Sequence, residues 1–409
     1  MKNFKIVILT LCAVLSLSSC SDDDPEQPVL GKNLWGEVLR GDNMQLQFYP
    51  DHFAFYWEYT FDAEANPEIG LIIEGEFPNA RFLSYNVYDD EAQTSYCEKG
   101  YSLTDVEIEA DNGYINTFRQ ETTERNQKYT IYVLPTDAPD TYVSDKANIC
   151  WFDADVKKVC TMLRYYIPEG GINGGVEMPR IKAINLTTGK ELDAPARIMS
   201  GIRGEMELPG AAFTSTDNAL FFRAPFSYAY PNGPSEYCYS RNILEENKVI
   251  VFNFKAPTYP KTVSEFATAD MRYWSVCVGN AETYTPLAIS DYQTKIDVNG
   301  FANYILADKN AENYAEVKKI ANEKGYNILE WDGKAWGEGV MILYRNMLFD
   351  ENYPHSMRLL DPVGPNVNVM EDPAKYIAVM KLGPWGATGR KITTDEFISC
   401  EGNVVLRQQ

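Results

Sequence analysis

Arg272-Tyr273-Trp274-Ser275-Val276-Cys277-Val278 decides the fold, because Arg81-Phe82-Leu83-Ser84-Tyr85-Asn86-Val87 answers it in the first half of the chain. In an extended chain Trp274, Val276 and Val278 share one side, as do Leu83, Tyr85 and Val87 in the other copy. That is the period of a strand with one face in a core. Each copy opens with an arginine on the apolar side, where an unpaired guanidinium would be costly. Downstream, Leu103-Thr104-Asp105 matches Ile289-Ser290-Asp291, with a glycine shortly after each, Gly113 or Gly300. Carboxylates at matching places are natural bidentate partners for the two arginines. The expectation is therefore two structural ion pairs, Arg81 with Asp105 and Arg272 with Asp291, each within its own domain. An anion-binding arginine is the functional alternative, but a feature present twice belongs to architecture.

The correspondence continues at an offset that drifts over roughly 165–190 residues, as loop insertions require. Asn148-Ile149 before Trp151 echoes Asn327-Ile328 before Trp331, and Leu163-Arg164 with Ile167 echoes Tyr344-Arg345 with Leu348. Upstream, Asp51 with Phe55 and Tyr56 is matched to Asp217 with Phe221 and Phe222. Between these runs, Gln45–Tyr49, Phe53–Tyr59, Gly70–Glu74, Arg81–Tyr88, Lys128–Leu134 and Thr161–Ile167 read as short strands, punctuated by Pro, Gly, Asn and Asp. One segment, about 311–324, has helical spacing (Tyr314, Val317, Ala321) and Gly325 as its C-terminal stop. The expected fold is all-β: two tandem jelly-roll-like β-sandwich domains, 34–200 and 201–409, the second with an inserted helix.

The Arg-Tyr-Trp-Ser strand and its Asp-containing successor resemble those of an uncharacterised family of secreted bacterial proteins whose relatives pair two β-jelly-roll domains. No established chemistry travels with the resemblance. Ala288 stands where that pattern often has a cysteine before the Asp, so the resemblance implies that Cys277 lacks its usual neighbour and leaves Cys238 or Cys400 as partners. The N-terminus carries a second resemblance. Lys2 and Lys5 precede an apolar run from Ile6 to Leu17, too short to span a bilayer but suited to a signal peptide. Leu17-Ser18-Ser19-Cys20 resembles a bacterial lipobox, and Asp22-Asp23-Asp24 the export tag of surface lipoproteins. This implies a signal peptide over 1–19, lipidation at Cys20, a tether over 20–33 and an outer-membrane, cell-surface location.

Charge sets limits on partners. With 37 Lys and Arg against 58 Asp and Glu, the net charge is −21, the wrong sign for nucleic acid or for electrostatic docking on anionic lipid. Membrane attachment then rests on the acyl chains, each buried methylene contributing about 0.8 kcal/mol. Beyond Cys12 and Cys20, six cysteines remain. Cys150 and Cys160 flank a plausible hairpin turn at 153–158 and would face each other as a disulfide.

Catalytic signatures are scarce. The chain has two histidines, His52 and His355, and neither stands at triad or metal-ligand spacing. Gly170-Gly171-Ile172-Asn173-Gly174-Gly175 lacks the Lys-Ser/Thr of a phosphate loop. Asp153-Ala154-Asp155 and Asp89-Asp90-Glu91 lack a full calcium-ligand spacing and read as solvated turns. No cofactor and no metal site is expected. Aromatic residues present in one half only are the better functional candidates: Tyr228 and Tyr230 in 226–234, Tyr237 and Tyr239 beyond it, and Trp385 in Gly383-Pro384-Trp385-Gly386. Exposed loop rings of this kind stack on sugars or peptides. The expected function is a lipid-anchored surface binding protein for a neutral ligand, a glycan first. The alternatives are a glycan-active hydrolase using paired carboxylates and a non-catalytic scaffold that binds a surface protein in an outer-membrane assembly.

Overall fold

The two arginine-headed runs form strands at corresponding places in two sandwiches. The computed structural model describes residues 34–406, apart from 44–46, 95–96, 98, 204–212, 214–215, 226–229 and 365–366, and without the side chains of 43, 203 and 349. The signal peptide, Cys20, the tether and Tyr228 lie outside the described residues. Among those described, no helix is long and apolar enough to cross a membrane.

One sheet runs in the order β1 (Leu39–Arg40), β2 (Ala54–Asp62), β8 (Lys158–Pro168), β4 (Ala80–Asp89), β5 (Ser102–Thr104). Facing it are β10 (Glu191–Leu192), β9 (Arg180–Asn185), β3 (Ile69–Glu76), β6 (Lys128–Pro135) and β7 (Ile149–Phe152). The second sandwich repeats the plan. Its first sheet is β12 (Phe222–Arg223), β13 (Ser235–Ile243), β19 (Gly339–Phe349), β15 (Met271–Asn280), β16 (Leu287–Ser290). Its second is β11 (Asn218–Leu220), β20 (Thr388–Thr393), β14 (Lys248–Lys255), β17 (Phe301–Asp308), β18 (Asn327–Trp331). The all-β sandwich architecture expected from the sequence is present.

The register fixes the equivalences. Ser84 lies opposite Arg164 and Ser275 opposite Arg345, while Tyr56 lies opposite Arg164 and Tyr237 opposite Arg345. β13 is thus the counterpart of β2, and Tyr237 that of Tyr56. The expected match of Phe55-Tyr56 with Phe221-Phe222 is therefore incorrect; Phe222 belongs to the edge strand β12. Residues 47–49 are not a strand either, because Phe48 and Tyr49 have φ of 75° and 53°. The helix expected over 311–324 is Tyr314–Glu323, ending before Gly325 at φ +77°. It connects β17 to β18, which pair in parallel, as β6 and β7 do.

Each sandwich buries an apolar core between its sheets, one including Tyr59, Leu83, Tyr85, Ile131 and Val133, the other Phe252, Trp274, Tyr304 and Trp331. A further cluster joins the outer faces of the β4 and β15 sheets through Tyr56, Phe82, Tyr166, Tyr230, Tyr273 and Met347. The expected disulfide fails on topology. Cys150 points into the first core from β7, whereas Cys160 on β8 belongs to the outer-face cluster. Cys277 lies directly opposite Ala288, yet Cys238 faces the other side of its sheet and cannot replace the missing partner. All six described cysteines are free thiols.

The ion pairs form with exchanged partners. Arg81 Nη1 donates to both oxygens of Asp291 at 2.6 and 2.7 Å, and Arg272 Nη1 to both oxygens of Asp105 at 3.1 Å. The expectation of pairing within each domain is therefore wrong. Each aspartate instead accepts from the backbone of its own half, Asp105 from Leu83 N and Asp291 from Trp274 N. Each arginine is the second residue of its strand, and from that end its side chain reaches the other half's carboxylate. Burial pushes Asp105 and Asp291 above the ordinary carboxylate range, with the arginines opposing, and pushes Arg272 down.

Such a pair adds little net stability while intact, yet removing one partner is expensive. Arg272→Met should cost about 3–5 kcal/mol in denaturant unfolding at neutral pH, because Asp105 is left buried and unpaired. A carboxyl raised in the fold penalises folding above its folded pKa, so this deficit should shrink as pH falls and Asp105 takes a proton. An unchanged midpoint, or a deficit that grows in acid, would contradict the assignment.

Candidate functional site

The aromatic residues expected to form a ligand platform divide into structural and surface groups. Tyr230 is 4% exposed, donates its hydroxyl to Asp90 at 2.8 Å and packs edge-on against Tyr88. Burial raises its phenol far above the ordinary range. Asp90, expected as a solvated turn, is itself buried and also accepts from Ser200 Oγ and Gly201 N. Tyr237 is buried beneath the Arg345 guanidinium, and Tyr239 sits half-buried beside Phe222. Neither Tyr230 nor Tyr237 presents a ring to solvent.

Nor is this segment peculiar to one half. Tyr230-Pro231-Asn232 corresponds to Tyr49-Pro50-Asp51, each starting seven residues ahead of the matched Tyr237 or Tyr56. Both tyrosines have positive φ, 51° and 53°, and both carbonyls accept from an arginine of the opposite half. Arg164 Nη2 donates to Tyr230 O, and Arg345 Nη2 to Tyr49 O, each at 2.9 Å. Asp51 completes one of these junctions, accepting from Tyr273 and Ser275 and pairing with Arg345. Asn232 stands at its counterpart, and Arg164 has Asn86 rather than a carboxylate beside it.

Trp385 is different. It lies in the long connection between β19 and β20, where the first sandwich has only the glycine-rich turn at 169–179. The register equates Asn346 with Tyr165, each opposite the core strand at Trp274 or Leu83. With an amide in place of a phenol, the end of the second core is filled by the connection itself, through Tyr353, Met357, Leu360, Ala378 and Leu382. Gly386 is required there, since a Cβ would stand 2.1 Å from Ala378 O, and Gly383 turns at φ +59°. These two glycines fix the position of Trp385, which is half-buried.

The indole stacks on the His355 imidazole, 4.7 Å between centroids at 14°, and meets Tyr353 edge-on at 89°. Lys255 Nζ stands over it, 4.9 Å from its centroid. Behind these rings is a crevice reached by Cys238, Tyr344 and Asn346, too tight to hold a water molecule. Asn346 is 2% exposed, and among the described residues its Oδ1 has no hydrogen-bond partner. Burial lowers the His355 pKa; Asp270 opposes this and Lys255 adds to it. The cluster thus combines an aromatic surface, a neutral imidazole, an ammonium and an amide. Among the described residues, no three His, Cys, Asp or Glu side chains are grouped to hold a metal ion.

Sequence reading located Trp385 but missed Tyr353, His355, Lys255 and Asn346. His355 follows Pro354 in a loop with no spacing signal, and Lys255 ends an ordinary strand. The other residues expected at a site, Arg81, Asp105, Arg272 and Asp291, form the exchanged junction described above.

Fold and site together define a tandem β-sandwich protein with one elaborated end. No protein-family model matches the chain, and no curated protein does. The solved structures similar to it include two at 10% identity. An uncharacterised protein from Burkholderia cenocepacia aligns over 89% of this chain and 83% of its own with a TM-score of 0.49. A protein from Vibrio parahaemolyticus aligns over 75% and 87% with a TM-score of 0.41.

Two outcomes test the division between structural and surface aromatics. Tyr230→Ala should destabilise the protein by about 3–5 kcal/mol in denaturant unfolding, as expected for a large buried aromatic; a loss below 1 kcal/mol would contradict its role in the core. With two histidines in the chain, His355 is separable by NMR. Its titration midpoint should lie below about 6.5, rise in Lys255→Met and fall further in Asp270→Asn. The reverse order would show that these charges do not face the ring.

Proposed function

We propose that the chain is a lipid-anchored binding protein displayed at the surface of the outer membrane, with the Trp385 cluster as its recognition site and a glycan as its ligand. The lipobox-like Leu17–Cys20 and the acidic triplet that follows support the anchoring and display. In this proposal 34–200 and 201–409 are two homologous domains on a lipidated tether over 20–33. The single observation that carries the binding assignment is asymmetry: in two sandwiches whose sheets share one layout, one alone builds a glycine-fixed tryptophan beneath a lysine at a half-open end. Duplicated features serve the frame that both halves share, so an unduplicated aromatic site is where recognition belongs.

A second reading is favoured by one specific observation. The same connection leaves Leu359, Met370 and Met380 exposed at 48%, 67% and 59%, and exposed apolar side chains are used at protein contact sites. On that reading the partner is another surface protein and the chain is a scaffold.

The test is a glycan array on delipidated protein, repeated with Trp385→Ala and with Met380→Glu. Glycan binding should fall at least tenfold in Trp385→Ala and remain in Met380→Glu. Binding that survives Trp385→Ala removes the site; no glycan binding together with a protein partner lost in Met380→Glu turns the assignment to the scaffold. For the anchor, Cys20→Ala should move the protein from the membrane to the soluble fraction, and external protease should digest the wild type on intact cells. Retention of Cys20→Ala in the membrane would refute the lipid attachment.

A further inference from the structure

We infer that the ligand of the Trp385 site is an acidic saccharide, whose carboxylate pairs with Lys255; this rests on the glycan reading proposed above. The chain carries 58 acidic against 37 basic residues, and many of its lysines and arginines stand beside carboxylates, as in Lys182 with Glu74, Lys318 with Glu330 and Lys375 with Asp361. Lys255 does not. Among the described residues its ammonium has no carboxylate partner and stands over the Trp385 indole. Its stem is directed there, passing 3.6 Å from the position a side chain would take at Gly300. A cation held against an aromatic face on the protein surface keeps most of its charge available to a ligand.

The surroundings complete a site for an anion on an apolar ring. His355, stacked on the same indole, is kept neutral by burial and by Lys255, and accepts a proton when an anion arrives beside it. Asp270 faces the same imidazole, one oxygen of its carboxylate accepting from Thr258 N at 2.8 Å and Thr258 Oγ1 at 2.9 Å; its charge opposes an anion there, and Lys255 with a protonated His355 must outweigh it. Trp385 and the exposed Pro384 beside it offer apolar contact to the C–H face of a sugar. The protein's overall negative charge does not oppose this. Exposed charges act over about 8 Å at physiological ionic strength, so the ammonium in contact decides and the distant excess is screened.

The test measures binding of uronic-acid oligosaccharides (galacturonan, glucuronan and mannuronan) and of their methyl esters, which keep the shape and remove the charge. Wild type, Lys255→Met, Lys255→Arg and Trp385→Ala are compared at low and physiological salt. At least one uronan should bind at least tenfold more tightly than its ester, and more tightly at pH 5.5 than at pH 8. Lys255→Met should lose at least tenfold for the acid and less than twofold for the ester; Lys255→Arg should retain most of the affinity. Equal binding of acid and ester, or neutral glycans bound through Trp385 with no response to Lys255→Met, overturns the acidic ligand and leaves the site standing. Saccharide binding untouched by Trp385→Ala, or none to any saccharide, overturns both.

Discussion

The structure depends on two buried arginine–aspartate contacts that cross between its halves. Each carboxylate is held by a backbone N–H of its own sandwich and by the guanidinium of the other. An ion pair inside one sandwich would leave the orientation of the two bodies to the apolar cluster and carbonyl contacts between them. Exchanged, the same groups make orientation a condition of satisfying buried charge, and the penalty for a misfit is that of an isolated ion out of water. Arg164 and Arg345 repeat the device with carbonyl acceptors on Tyr230 and Tyr49. Rings from both halves fill the space among these contacts, Tyr166 meeting Tyr273 at 5.4 Å.

A rigid frame of this sort gives the Trp385 cluster its character. The cluster is built on the end of the second core rather than on a free loop, and Gly383 and Gly386 set its backbone. The side chains that close it come from a core strand (Lys255), a core-capping turn (Tyr353 and His355) and the connection itself. Recognition by such a surface relies on prior positioning, so little conformational freedom remains to be lost when a ligand binds.

Much of the frame was legible in the sequence. The alternation from Arg81 and Arg272 marks core strands, and Asn148 and Asn327 do occupy equal places, each bridging two backbone segments with its amide. Pairing across halves was not legible. Sequence proximity favours Asp105 for Arg81, whereas the side chain at a strand's outer end leaves the sandwich altogether. The Tyr-Pro-Asp and Tyr-Pro-Asn counterparts were masked by Phe221-Phe222, a pair that imitates Phe55-Tyr56 but forms part of an edge strand. At the site, glycine and proline exposed the Trp385 turn, because backbone demands are local. The partners of that ring arrive from distant strands and leave no spacing to read. Trp385 itself was expected as an open platform and is instead half-covered by His355 and Lys255.

The outermost strand of one sheet in each sandwich has a different origin in the two halves. β10 follows β9 at the end of the first, whereas β11 precedes everything else in the second and pairs with β20, the counterpart of β9. Both therefore flank a single connecting segment, 193–217, one at either end. That segment is not a neutral spacer. Its described start is fastened to the first sandwich, Tyr59 Oη donating to Pro195 O, Ile198 N to Thr60 O and Gly201 N to Asp90, so a change of length before residue 201 is felt in that sheet and not only as added reach.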